Sequence, residues 1–220
     1  MSDEKKDVKF MDDKTFDDVT PSELIKEYIN NTGELKNLDC VSEMYDTLDR
    51  ALFIGDVTSE LGDAIEHIIR MYNIIDKDTP TEERKPIKIF INSEGGSTIA
   101  CLEIIDSIRL SKTPVYTINM GIAASSGLDI FISGHKRYCY PNSTFLFHEG
   151  STGGGYMDAG KFRNYSTWYE NLLKKMKGII LKYTKVTPEL YKEKQNDDWW
   201  FFAEEAIEYG FCDEILEEFI

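Results

Sequence analysis

Ser125 stands just after a strand-like segment, within a turn made mostly of small residues. The segment is 114–119, and the turn is Gly121-Ile122-Ala123-Ala124-Ser125-Ser126-Gly127. A small-residue turn that leads from a buried strand into a helix is a common way to present a hydroxyl nucleophile. Its alanine and glycine residues also leave room for a substrate carbonyl. The turn therefore predicts that Ser125 attacks acyl groups, as the nucleophile of a serine peptidase does.

A serine hydroxyl needs a neighbouring base to remove its proton, and the chain has only three histidines. His67 lies within a helical pattern and is interpreted as a surface residue. His135 lies in the charged segment 134–137, which is predicted to be a loop and in which neighbouring cations disfavour a positive imidazolium. His148 follows the aromatic strand 144–147. Active crevices of parallel α/β sheets lie at the carboxyl ends of strands, so His148 is the predicted base.

Two further groups complete a peptidase site. Gly95-Gly96 follows another strand-like segment, and consecutive glycines let the backbone approach a ligand and donate N–H groups to an oxyanion. No Gly-Lys-Ser/Thr follows, which excludes a P-loop. A third group should orient the imidazole. Asp197 and Asp198 are attractive because Trp199 and Trp200 would shield them, but the residues alone do not select among 40 acidic side chains.

The composition excludes several other functions. A net charge of −15 argues against nucleic-acid binding and against docking on anionic lipid. The four cysteines show no CxxC spacing and no paired histidines, so neither a metal nor another cofactor is expected. Cys101 and Cys139 lie in apolar surroundings and predict buried thiols in a reducing compartment. No secretion signal or apolar run of about 20 residues is present, so we expect a cytoplasmic protein.

The elements that must position these residues alternate between strand and helix from about Asp49 onward. This order predicts an α/β fold with right-handed crossovers. The predicted strands are 51–54, 86–92, 115–119, 144–147 and 211–216. The predicted helices are one beginning at Thr58 or Ser59, 98–110, 158–183, one beginning at 187–188, and 201–209. The face of helix 98–110 that we expect to be buried consists of Ile99, Leu102, Ile105 and Ile108.

The first 47 residues differ from the rest in having many polar and few aliphatic side chains. They predict an acidic extension, partly disordered, joined to a main domain over 48–220. Within it, Thr20, Pro21 and Glu23 form a capping box that begins a short amphipathic helix.

Four motifs resemble those of the ClpP family, the proteolytic subunit of the ATP-dependent Clp protease. They keep the family's order and approximate spacing from about Arg50 to Leu216. The motifs are the glycine turn 91–97, the nucleophile turn 120–125, the segment 137–143 that leads to His148, and the C-terminal segment 203–210.

The resemblance implies residue roles that the residues alone leave open. It makes Ser125 the nucleophile, His148 the base and Asp198 the acid, with Gly96 and the N–H of Ser126 as the oxyanion hole. It implies a crotonase-like ββα spiral with an extended helix for ring–ring contact. It also implies two stacked heptameric rings that receive unfolded polypeptides from a AAA+ unfoldase of the ClpX or ClpA kind.

The chain departs from the family pattern at several positions. Glu94 replaces a proline, which predicts a less rigid glycine turn, and Glu149-Gly150 replaces Gln-Pro after His148. The segment 196–200 lacks the arginine that helps to join the two rings in relatives. The sequence leaves two alternatives to an active peptidase open. One is a catalytically silent ring component that scaffolds or regulates an active relative, and the other is a crotonase-type acyl-CoA enzyme.

Overall fold

The computed structural model describes residues 49–150 and 158–220, and these parts contain seven strands and six helices. The strands are β1 (Ala51–Ile54), β2 (Ile87–Ser93), β3 (Val115–Ala124), β4 (Lys136–Cys139), β5 (Thr144–Phe147), β6 (Trp199–Phe202) and β7 (Glu214–Ile215). The helices are α1 (Ser59–Ile75), α2 (Thr98–Leu110), α3 (Ser126–Ile132), α4 (Ala159–Tyr183), α5 (Pro188–Lys194) and α6 (Ala203–Glu208). Leu52–Ile220 forms one compact unit. The predicted N-terminal extension and its helix lie outside the described residues.

The strands form one mixed sheet that branches at β3. Along the main path the order is β1-β2-β3-β4-β7, and β5 leaves this path to pair with both β3 and β6. The first half of β3 pairs in parallel with β4, whereas Ile122–Ala124 pairs in parallel with β5. Asn119 lies at the division and is fully buried. Its side-chain amide donates to the Thr144 carbonyl at 2.9 Å, and its carbonyl accepts from the Ser143 hydroxyl at 2.7 Å.

The helix starts follow the capping chemistry of the sequence. The Thr58 hydroxyl accepts from the Leu61 N–H at the start of α1, and Thr187 does the same for Leu190 at the start of α5. The Asp158 carboxylate accepts from two N–H groups at the start of α4. A side-chain oxygen at this position satisfies donors that the first helical turn leaves free, so these three predicted helix starts are confirmed.

Helix α2 has the predicted bounds but not the predicted buried face. Ile99 is exposed and Leu102 is only half-buried, whereas Cys101, Ile104 and Ile108 are buried. The expected face was therefore wrong in part. The reason is that α2 packs against both α1 and α3, so its buried arc is centred on positions that face both neighbours.

The charged segment 134–137 was expected to be a loop, but Lys136–Cys139 forms β4. The charge of Arg137 does not prevent strand formation, because its guanidinium has partners on neighbouring elements. It forms an ion pair with Asp213 and donates to the carbonyls of Tyr183 and Gly210 at 2.6 and 2.8 Å.

The C-terminal part of the chain also differs from expectation. The predicted helix 201–209 is in fact strand β6 followed by the short helix α6. The backbone of Phe201 pairs with that of Phe145 on β5, which keeps it extended. The predicted strand 211–216 is reduced to β7, because the N–H groups of Phe211 and Cys212 donate to the Ala206 carbonyl at the end of α6.

Aromatic side chains fill the core on the side of the sheet that carries β5 and β6. The ring of Phe145 stacks on Phe201 at 5.4 Å between centroids, and Phe131 and Phe211 pack on either side. All four side chains are almost completely buried. Their packing fixes β5 and β6 against α3, the helix that begins immediately after Ser125.

Candidate active site

Ser125 occupies an uncommon backbone conformation between β3 and α3, with φ 54° and ψ −127°. A positive φ is costly for a residue with a side chain, so the surrounding contacts must hold it there. Backbone hydrogen bonds hold Ser125 through both its N–H and its carbonyl. The Ser125 N–H donates to the Leu146 carbonyl at 3.0 Å. Its own carbonyl accepts from the N–H groups of Leu128 and Asp129. The hydroxyl therefore projects from a sharply turned and well-anchored strand end.

The imidazole of His148 lies within hydrogen-bonding distance of this hydroxyl. Nε2 of His148 is 2.8 Å from Oγ of Ser125. The contact arises from the parallel pairing of Ala124 with Leu146, because the residues just beyond both strand ends emerge at the same edge of the sheet.

The other two histidines are remote from this contact. His135 accepts from the N–H of Val115, at the opposite end of β3 from Ser125. The ten residues of β3 separate them by about 30 Å. Burial, and then the guanidinium of Arg109, lower the pKa of His135. His67 is exposed on α1 beside Arg70.

Asp198 faces His148 across an antiparallel strand pair. Phe147 at the end of β5 pairs with Trp199 at the start of β6, so the next positions, His148 and Asp198, are also opposite one another. Oδ1 of Asp198 is 3.6 Å from Nδ1 of His148. This distance exceeds an ordinary hydrogen bond, and the Asp198 side chain is 64% exposed. Asp198 and His148 are therefore opposite one another on the two chain segments, but they are farther apart than Ser125 and His148.

The glycine turn passes directly beside the nucleophile. A Cβ added to Gly95 would lie 2.8 Å from Cβ of Ser125. The turn is held by Val57, whose N–H donates to the Gly95 carbonyl at 2.9 Å and whose carbonyl accepts from the Ser97 N–H at 2.7 Å. The hydroxyl of Ser126 donates to the Gly96 carbonyl at 3.2 Å, which links the turn to α3.

The N–H groups of Gly96 and Ser126, the predicted oxyanion donors, have no hydrogen-bond acceptor among the residues that the structure describes. Both residues belong to the segments that converge on Ser125. An unused N–H beside a nucleophile is the group that an oxyanion requires.

Replacing Gly96 by alanine is expected to destabilise the protein strongly. Gly96 has φ 145°, and an added Cβ would overlap the backbone carbonyl of Val57, which has little freedom to move. We expect the free energy of unfolding to fall by about 3 kcal/mol, measured by urea denaturation. Gly178→Ala is the matched control, because nothing lies within 4 Å of its added Cβ. It should be neutral or stabilise α4 by about 1 kcal/mol. Equal effects of the two substitutions would contradict the role of the Gly96 contact.

A further acidic residue, Asp129, lies in the cleft beside Ser125 and His148 and was not singled out from the sequence. It lies one helical turn beyond Ser125, to whose carbonyl its N–H donates at 3.2 Å. Enclosure of its carboxyl raises the pKa of Asp129 to about 7. The sequence feature that could have identified Asp129 is its position within the otherwise apolar segment 128–132.

The pKa of Asp129 predicts a pH-dependent stability. Between about pH 4 and pH 7 the unfolded chain ionises this carboxyl while the folded protein keeps it protonated, so folding stability falls as the pH rises. The amide of Asp129→Asn is uncharged at every pH in this range, so the variant does not lose stability in this way. From pH 5 to pH 8 the variant should therefore gain about 2 to 3 kcal/mol relative to the wild type. Urea denaturation at both pH values measures this difference.

Wild type and variant share the other titratable side chains that line the cleft, including His148, Glu149 and Tyr191, so the difference between the two proteins isolates Asp129. The buried Cys101 thiol also faces Asp129. Burial, and then Asp129, raise the pKa of the Cys101 thiol, and burial with Glu149 and Asp129 raises the pKa of the Tyr191 hydroxyl. A constant difference in stability between wild type and variant across this pH range would contradict the prediction.

The sequence predicted buried cysteines, and it predicted neither a metal site nor a membrane-spanning segment. Cys101 and Cys139 are buried free thiols, as predicted, and so is Cys212. Within 49–150 and 158–220, no group of three or more potential ligands could hold a metal ion. In the same ranges, no helix combines the length and the apolar character that crossing a membrane requires.

A hydroxyl, an imidazole and a carboxylate lie at adjoining strand ends of this α/β protein. The family model described as Clp protease matches residues 24–219. The chain therefore belongs to the Clp protease family, which supports a protease function. The mixed sheet with its six described helices agrees with a ClpP-like fold, so the predicted fold class is confirmed.

Curated relatives agree with the family match. The chain is 39% identical over 144 residues to an "ATP-dependent Clp protease proteolytic subunit" of Streptococcus mutans, which covers 62% of this chain and 71% of the relative. It is 34% identical over 178 residues to a protein of the same name from Streptococcus suis, covering 77% of this chain and 85% of that relative.

Proposed function

We propose that this chain is a serine endopeptidase that cleaves unfolded polypeptides with a triad of Ser125, His148 and Asp198. The observation that carries the proposal is the 2.8 Å contact between Oγ of Ser125 and Nε2 of His148. A serine becomes nucleophilic when a base accepts its proton, and His148 is placed to do so. Membership of a protease family supports the same chemistry.

The proposed reaction proceeds through an acyl-enzyme. His148 accepts the hydroxyl proton while Ser125 attacks the scissile carbonyl, and the N–H groups of Gly96 and Ser126 donate to the resulting oxyanion. The C–N bond then breaks as His148 returns the proton to the leaving amine. Water hydrolyses the ester by the same proton transfers. Asp198 accepts from Nδ1–H of His148, which keeps Nε2 available as the base.

The proposal extends to assembly in the cytoplasm. The relatives named above are subunits of an ATP-dependent protease, which supports a homo-oligomer fed by a AAA+ unfoldase of the ClpX or ClpA kind. We propose two stacked heptameric rings, a tetradecamer, that enclose the active sites. Exposed apolar side chains of the single chain are candidates for burial between subunits. They include Phe53, Ile74, Leu110, Phe202 and Phe219.

Helix α4 is the proposed contact between the two rings. It is 25 residues long, and only Leu172 and Ile180 of its residues are buried in the described structure. Phe162 and Trp168 in its first half are 55% and 47% exposed. A long helix with exposed aromatic side chains is suited to packing against a second copy.

A fluorophosphonate probe tests the peptidase proposal directly. The probe reacts with a serine that a neighbouring base activates, so we expect stoichiometric labelling of the folded protein and none after heat denaturation. Peptide mapping by mass spectrometry should locate the adduct on Ser125. A folded protein that stays unlabelled but co-assembles with an active relative would overturn the proposal in favour of a silent ring component.

A further inference from the structure

We infer that Asp129 is a specificity-determining residue that selects a lysine or arginine side chain on the acyl side of the scissile bond. This inference rests on the proposed peptidase function and names the class of substrate for it. It concerns the cleft that Ser125 and His148 share with Asp129.

The position of Asp129 suits contact with the substrate residue whose carbonyl Ser125 attacks. The two residues are four apart on the first turns of α3, and the Asp129 N–H donates to the Ser125 carbonyl. Four residues of helix advance the backbone by about 6 Å, which is similar to the reach of an extended lysine side chain. Asp129 lines the same cleft as Ser125, so a long side chain that enters the cleft beside Ser125 can reach the Asp129 carboxyl.

Apolar side chains form part of the cleft wall, and the neutral polar side chains of Thr98, Tyr169 and Tyr191 line it as well. Asp129 and Glu149 line it, whereas no lysine or arginine does so within the described parts of the chain. The nearby ammonium of Lys177 lies 4.7 Å from the ring centroid of Tyr191 and is not part of the lining. The apolar side chains that line the cleft are Leu128, Phe147, Leu172, Leu173, Met176 and Ile180.

A cleft that combines apolar side chains with a carboxyl matches a long basic side chain better than a neutral one. Lysine and arginine have methylene stems that pack on apolar surface and a cation that needs a partner at the tip. The Asp129 carboxyl has no ion pair or side-chain hydrogen bond with any residue that the structure describes. A half-buried carboxyl without a partner is costly to ionise alone, and a cationic ligand lowers that cost.

The test compares peptides that differ only at the residue before the cleaved bond. Lysine and norleucine form a matched pair, because their stems are alike and only lysine carries a charge. We expect the wild type to cleave the lysine peptide with at least tenfold higher kcat/KM. Asp129→Asn should lower the lysine-to-norleucine ratio at least tenfold. Asp78→Asn, a substitution of an exposed aspartate in a loop, should leave the ratio unchanged.

A second measurement does not depend on the variant. Butylamine, which imitates the lysine side chain, should inhibit cleavage by the wild type competitively, whereas butanol at the same concentration should not. A wild type that prefers norleucine, or a ratio that Asp129→Asn leaves unchanged, would overturn the inference.

The fluorophosphonate probe separates this inference from the proposed function, because the probe carries no side chain for the cleft. Labelled wild-type and Asp129→Asn proteins without selectivity for lysine would overturn the inference alone. An unlabelled wild type would overturn the peptidase proposal and the inference with it.

Discussion

Ser125→Ala is expected to abolish both probe labelling and peptide cleavage, with a fall in kcat on the order of 10⁵-fold. The substitution removes the only atom that forms the covalent bond to the substrate in the proposed mechanism. It leaves the base, the glycine turn and the cleft in place. The residual rate would come from binding and oxyanion stabilisation alone. Cleavage of a fluorogenic peptide, corrected for trace wild-type protein, measures the loss.

The control for this substitution is Ser107→Ala. Ser107 lies on α2, and its hydroxyl donates to the Glu103 carbonyl within the same helix. Alanine is favourable in a helix, so this variant should fold and retain the wild-type rate. Labelling that survives in Ser125→Ala, or equal loss of activity in both variants, would show that another residue is the nucleophile.

Asp198→Asn is expected to lower kcat/KM about 10³-fold. An asparagine amide can donate to Nδ1 of His148, which favours the tautomer that carries its proton on Nε2. That tautomer cannot accept the proton of Ser125. The loss should be large even though the 3.6 Å separation and the exposure of Asp198 weaken the pair in the free protein. Catalytic hydrogen bonds are often longer before substrate binds.

Asp197→Asn is a close control, since the two aspartates are adjacent and both exposed. Asp197 lies in a turn before β6, where its N–H donates to the Lys194 carbonyl, whereas Oδ1 of Asp198 is 3.6 Å from Nδ1 of His148. Asp197→Asn should change kcat/KM by no more than about threefold. Equal losses in the two variants, or a larger loss for Asp197, would contradict the proposed acid. Circular dichroism and urea denaturation of both variants show whether they remain folded.

The sequence predicted the strands that present the site because their signals are local. The apolar runs of β1, β2 and β5 are bounded by glycine, proline or polar residues, and they form strands close to the expected bounds. Their carboxyl ends carry the glycine turn and His148 in the order that a parallel sheet requires. Ser125 follows from the same logic, although the strand before it was predicted only over 115–119. Pairing with β5 extends β3 to Ala124, so the small residues 121–124 belong to the strand and Ser125 alone separates it from α3.

Strand β6 could not be predicted from its own residues. It has four residues, and its exposure alternates between Trp199 and Phe201, which are buried, and Trp200 and Phe202, which are exposed. Such a short aromatic run also fits the first turn of a helix. Pairing with β5 decides the outcome, and that contact joins segments more than 50 residues apart. The choice of Asp198 over Asp197 depended on family resemblance for the same reason.

Asp129 was missed for a different reason. A single acid in a helical segment ordinarily indicates an exposed face, and the sequence alone does not reveal which face of α3 is covered. The covering residues come from α4 and α5, which follow in the chain after strands β4 and β5. Burial of a polar group through distant segments is a tertiary property.

Strand β6, which Asp198 immediately precedes, pairs only with β5 among the described strands and so forms an edge of the sheet. An edge strand presents unpaired backbone N–H and C=O groups with which a further strand can pair. The orientation of the proposed acid therefore depends on one pairing, that of β6 with β5 over four residues. A segment that pairs with the free edge of β6 would stabilise the partner of His148 without touching a catalytic side chain.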